Sequence, residues 1–266
     1  MTFTYGEYLH LDALLTAQHP VSRPAHHDEL LFIVQHQTTE LWLKLVLHEL
    51  RAVRDAFAAD DRRRALKGLA RVKQVLHTLT EQWAVLGTLT PSEYVEFRGA
   101  LGTSSGFQSW QYRAVEYLLG NKDPRMLVVH AADPAATALL VELRDSPSVY
   151  DAFLGMLARS GHDVPAEVLE RDVAEGHGYT EALVPVFRRV YEEPRAHWDA
   201  YEACEELVDL EDGFQLWRFR HVRTVERIIG VKRGTGGSAG VSYLRRALDQ
   251  TFFPELYAVR AELEDR

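Results

Sequence analysis

The chain has 266 residues, 46% hydrophobic and 26% charged, with a net charge of −9. This composition builds a globular protein long enough for one large domain or two small ones, and it excludes a disordered or fibrous chain. The acidic balance argues against a nucleic-acid or anionic-membrane partner, and the single cysteine, Cys204, excludes an intramolecular disulfide and a thiolate metal cluster, in keeping with a reducing cytoplasm.

The opening MTFTYGEYLHLDALL has no basic region followed by a long apolar run, and no stretch approaches the length of a membrane span, so nothing marks the chain for export. The prolines leave two long gaps, residues 25–90 and 195–253, both filled with good helix formers. Residues 25–59 are apolar on several faces, which suits a helix buried inside a bundle. Within them Phe32 and His36 stand four apart and stack on one face. A histidine there is either a core residue bonded to a backbone carbonyl or one wall of a cofactor site. Residues 61–86 are more amphipathic, with Leu66, Leu69, Val72, Val75, Leu76 and Leu79 inward, as expected of an antiparallel neighbour.

In PSEYVEFRGALGTSSGFQSWQYR, Pro91 at a first helical position and the capping box Ser105-Gly-Phe-Gln108 mark two helix starts. Tyr94, Arg98 and Leu101 fall on one face. They suit a pocket for an aromatic carboxylate, because arginine holds carboxylates in a bidentate fork; the competing reading pairs Arg98 with Glu93 at the surface. Residues 123–194 are broken by six prolines into short helices, expected as a smaller accessory layer. Glu202, Glu205 and Glu206 beside Cys204 should raise its pKa, against a thiolate nucleophile or haem ligand.

Residues 214–230 read as a helix with Phe214, Trp217, His221, Val225 and Ile228 on one face and Arg220, Arg223 and Arg227 opposite. No carboxylate within a turn of His221 shares its face, so the ring should be neutral. A neutral imidazole in an apolar slot is either a satisfied core residue or the axial ligand of a haem iron. The following KRGTGGS follows no strand and lacks the ending of a phosphate-binding loop; a flexible lid carrying Thr235 fits better. A di-iron carboxylate bundle requires Glu-x-x-His twice, and only Glu7 with His10 has that spacing; the zinc pattern His-Glu-x-x-His is absent. Period-two alternation is also absent, so the expected fold is all-α: a bundle of long buried helices with an accessory layer of short ones, forming a single domain over residues 1–266.

The segments FTYGEYLHLDALL, HHDELLFIVQHQTTELWLKL, LTPSEYVEFR, SSGFQSWQYR, FQLWRFRH and KRGTGGSAGVSYL, in that order, resemble the haem-dependent tryptophan 2,3-dioxygenases over nearly the whole chain. Trp110 departs from the leucine expected in SSGFQSLQYR-like segments. The resemblance implies a haem b, ferrous when active, between the long helices. It further implies that O2 is inserted across the indole C2–C3 bond of L-tryptophan to give N-formylkynurenine. It makes His221 the axial iron ligand and His36 the distal residue that accepts the indole N–H. Arg98 and Tyr94 hold the carboxylate, and Thr235 meets the ammonium and carboxylate. Phe32, Leu101, Tyr5, Tyr8 and Leu9 line the indole, and Ser105 is a polar contact near the haem. The family pattern is a cytoplasmic homotetramer whose first helix reaches into a neighbouring subunit. The alternatives from other classes are a helical haem-based gas or redox sensor that oxidises no indole and a helical interaction protein with no cofactor.

Overall fold

The computed structural model describes residues 3–230, 232 and 240–263. Among them there is no strand, and the chain is all-α as its periodicity predicts. A short arm, α1 (Tyr5–Leu9) and α2 (Leu11–Leu15), leads into the 30-residue α3 (Glu29–Ala58). Then come α4 (Arg62–Glu81), α5 (Trp83–Leu86), α6 (Pro91–Arg98) and α7 (Trp110–Leu118). The middle of the chain holds α8 (Arg125–Val129), α9 (Pro134–Arg144), α10 (Val149–Arg159), α11 (Ala166–Leu169) and α12 (Val184–Glu192). The 32-residue α13 (Trp198–Ile229), α14 (Val241–Leu248) and α15 (Pro254–Ala258) follow.

Three helices make the frame. Leu43, Val46, Leu50, Val53 and Phe57 recur every three or four residues along α3, and all are shut away from solvent. They meet Leu69, Val72, Leu76 and Leu79 of α4, and α13 completes the core with Cys204, Leu207, Leu210, Phe214 and Trp217. The backbones of α3 and α4 come close enough that a Cβ on Gly68 would lie 2.5 Å from a Val53 methyl carbon. The helix expected over 61–86 stops at Glu81 and restarts at Trp83, and that break turns the Trp83 indole back into the bundle.

The short middle helices are not merely laid on the outside. Tyr150, Phe153, Leu154 and Leu157 of α10 sit in the same apolar cluster as the long helices, with the Phe153 and Phe57 rings 5.6 Å apart. Buried Lys122 donates to the carbonyls of Arg144, Ser146 and Val173, and buried Glu255 accepts from Tyr150 Oη and Thr180 N, so polar clamps close this part of the core. On α3, Leu30, Val34 and Leu41 are exposed, so this helix is buried on fewer sides than its composition suggests.

Candidate active site

α3 and α13 each carry one of the two singled-out histidines. His36 Nδ1 lies 2.7 Å from the Phe32 carbonyl one turn earlier, so the neutral ring donates through Nδ1 and keeps the Nε2 lone pair for another partner. The Phe32 ring packs on it at 4.2 Å between centroids. Burial lowers the His36 pKa against the opposing influence of the Phe32 carbonyl and Glu40. Gln82 donates to Thr39 Oγ1 and Gln111 to the Glu40 carbonyl, which pins this turn of α3 to the α4–α5 junction and to α7.

His221 lies on the inward face of α13, and Arg220, Arg223 and Arg227 face solvent as the helical period predicts. Burial pushes its pKa down to about 4, with the charge of His36 acting in the same direction. Each imidazole therefore lies within electrostatic reach of the other, and both are neutral near pH 7. The Trp83 indole stacks on His221 almost parallel, 4.7 Å between centroids and 8° between planes. Trp83 is absent from any reading of the sequence as a site residue. Trp217, one turn before His221, is also buried, and neither indole N–H has an acceptor among the described residues.

α6 starts with Pro91 in its first turn as the sequence predicts, and Thr90 and Glu93 add a reciprocal cap beyond that expectation. Because Glu93 reaches back to Thr90 N at 2.7 Å, its carboxylate is engaged at the helix start rather than at Arg98. Tyr94 is buried, with its ring 5.8 Å from Phe32, and burial raises its pKa against the Arg98 guanidinium that hydrogen-bonds it. Leu101 follows on a 3-10 turn and packs on the core. Tyr94 and Phe32 thus join α6 to the His36 turn of α3. Ser105 caps its own turn, accepting from Phe107 N at 3.3 Å.

A cavity of about 420 Å³ opens beside Arg98, between Val95, Gly99, Gly102 and Lys232. A larger one, about 670 Å³, lies between the end of α3 and α10–α11, where no sequence-predicted site residue lines it. Its charged lining is self-satisfied: Arg54 with Asp55, Arg159 with Asp60, and Asp151 with Arg171.

Tyr5, Tyr8 and Leu9 sit on α1, which buries no residue, and they are not built into the pocket of the same chain. Gln37, next to His36, still holds the arm by donating to the Ala17 carbonyl and accepting from Gln18. Thr235 lies outside the described residues. Cys204 is buried and unoxidised; burial, ahead of Glu205, raises its thiol pKa, so the expected direction holds with a different leading cause. Trp110 is half-buried against the core. No described helix is long and apolar enough to cross a membrane.

The donor chemistry fits a haem. His221 is an unprotonated imidazole whose ring nitrogens have no hydrogen-bond partner among the described residues, within an aromatic and aliphatic surround. No group of three or more His, Cys, Asp or Glu suited to a bare metal ion occurs among the described residues.

The family model described as tryptophan 2,3-dioxygenase matches residues 1–189 and 182–263. A protein of Kineococcus radiotolerans bearing that name is 68% identical over 98% of this chain and 91% of its own length. Proteins of the same name from Saccharopolyspora erythraea and Rhodococcus jostii are 67% and 64% identical, each over 98% of this chain and 92% of their own.

Proposed function

Because the chain belongs to the tryptophan 2,3-dioxygenase family and has that family's activity, we propose that it works with a haem b held by His221, and that L-tryptophan binds between His36 and Arg98. The haem, ferrous when active, supplies the O2 activation by which both oxygen atoms enter across the indole C2–C3 bond to give N-formylkynurenine. The remaining roles fall to side chains. His36, with Nδ1 committed to the Phe32 carbonyl, offers Nε2 to accept the indole N–H. Arg98 and Tyr94 take the carboxylate, with Phe32 and Leu101 as walls, and holding both ends of the substrate fixes the ring for reaction. Thr235 would contact the ammonium and carboxylate, and Ser105 would be a polar neighbour of the haem.

The observation that carries this reading is the pair of buried, neutral imidazoles on two long helices, with His36 close enough to His221 to lower its proton affinity. The exposure of Tyr5, Tyr8 and Leu9 supports their completing the pocket of a neighbouring subunit in a homotetramer. A cytoplasmic site suits the single buried thiol. We read residues 1–266 as one all-helical domain with 123–194 as an accessory layer inside it. The sensor alternative is disfavoured, because the relatives matched over nearly their whole length carry an enzyme's name.

The test is formation of N-formylkynurenine from L-tryptophan under reducing, aerobic conditions, together with a Soret band that shifts on adding the substrate. His221→Ala should lose haem, whereas His36→Ala should keep it and turn over slowly. A His221→Ala protein that purifies with full haem refutes the axial assignment.

A further inference from the structure

The cavity beside Arg98 has one feature that the family reading leaves unused. Among the described residues its only charged lining residues are two cations, Arg98 at the end of α6 and Lys232 two residues beyond Gly230, which ends α13. The chain as a whole carries −9, so two cations facing one cavity with no carboxylate among the described residues of its wall run against the average. The nearby carboxylates are committed elsewhere: Glu93 to Thr90 N, Glu96 to His26 at 3.1 Å, and Glu226 to Arg223 and Arg245. Arg227 is likewise occupied, donating to the Gly87 carbonyl. Lys232 is exposed and has no carboxylate partner among the described residues. Gly99 and Gly102 leave the floor open, since a Cβ on either would meet nothing within 4 Å.

We propose that Lys232 is a second cation for the substrate carboxylate, a specificity-determining residue that favours indole acids over indole amines at this pocket. The proposal rests on the reading of Arg98 as the carboxylate binder. Arg98 supplies the fixed fork, and Lys232, a compact charge on a flexible stem, adds attraction at the mouth. An amine lacking the carboxylate gains nothing from either cation and is repelled by both.

The test uses the haem-loaded enzyme and three ligands: L-tryptophan, indole-3-propionate, which keeps only the carboxylate, and tryptamine, which keeps only the ammonium. Lys232→Gln should weaken indole-3-propionate about three- to fivefold, as for an exposed ion pair, and raise the tryptophan KM similarly with kcat held. Lys232→Glu should weaken the acid about tenfold and tighten tryptamine. Both effects should shrink in roughly 0.5 M salt, where charges are screened within a few ångströms. If both variants bind acid and amine as the parent does, the proposal is overturned. Arg98→Met, run in parallel, separates the failures. A raised tryptophan KM there with silent Lys232 variants sinks this inference alone, whereas an unchanged KM sinks the carboxylate reading along with it.

Discussion

Removing the Glu116 carboxylate tests whether a buried charge cluster holds the histidine-bearing helix in place. Glu116 on α7 accepts from Arg113 at 2.6 Å and from Arg218 at 2.7 Å, and the three side chains are 3%, 7% and 4% exposed. Arg218, one turn before His221, also donates to Tyr112 Oη and to the carbonyls of Ala247 and Gln250, while Arg113 reaches Tyr243 Oη. The single carboxylate therefore serves two guanidiniums that join α7, α13 and α14. Glu116→Gln keeps the shape, but it leaves two buried cations with no counter-charge and turns one acceptor into a donor facing an arginine. Breaking a buried pair in this way costs about 3–5 kcal/mol. At roughly 2–4 °C per kcal/mol for a chain of this size, Tm should fall by about 6–20 °C in a circular-dichroism melt. Replacing all three by apolar residues, as Arg113→Leu, Glu116→Leu and Arg218→Met together, should recover at least half of the loss, because apolar substitutes of similar volume are often neutral. A Glu116→Gln melt within about 2 °C of the parent would refute the reasoning.

Three further outcomes follow from the site. Trp83→Ala removes a buried indole stacked on His221 and should cost about 3–5 kcal/mol while weakening haem retention, whereas Trp83→Phe should retain most of both; equal haem occupancy in all three proteins would show that the stack does not orient the ring. Arg98→Met should raise the tryptophan KM by the equivalent of about 1.5–3 kcal/mol, roughly ten- to 150-fold, read from steady-state kinetics. Burial works to raise the Asp151 pKa, but bonds from Ser148 N and Oγ and the Arg171 charge outweigh it and leave the pKa lowered. The unfolded chain then binds the proton first as pH falls, so Asp151 contributes stability that is complete above about pH 4 and lost below it; Asp151→Asn should flatten the acid limb of a stability–pH curve.

The features legible in the sequence are those set by neighbours along the chain. The long helices follow from proline-free runs with a three-to-four period, and the Pro91 helix start and the Ser105–Gln108 capping box form as their sequence predicts. His36 makes the carbonyl bond of its core reading, and that same bond commits Nδ1 and leaves the Nε2 lone pair for another partner. The Trp83–His221 stack and the Glu116–Arg218 bond join residues more than a hundred positions apart, and no periodicity encodes such pairings. Leu30, Val34 and Leu41 mislead for a related reason. Hydropathy states that a face prefers cover but not whether the same chain supplies it.

The neutrality of His221 is the least obvious of these outcomes, because α13 is rich in acids and the chain is acidic overall. Where those acids go explains it. Glu202 pairs with Arg62, Glu205 with Tyr191 and Arg260, and Asp209 with Lys73. Glu211 accepts from Phe252 N and Phe253 N, and Glu226 is shared by Arg223 and Arg245. Each is held on another side of the helix by a partner from another element, so none turns toward the imidazole. Desolvation then acts on His221 with no counter-charge to oppose it, and the ring stays unprotonated down to about pH 4. A helix can thus present one basic nitrogen to an apolar space only if the rest of the fold first occupies its carboxylates, which makes Arg62, Lys73, Arg245 and Arg260 part of the electrostatic frame of the site although none lies in it.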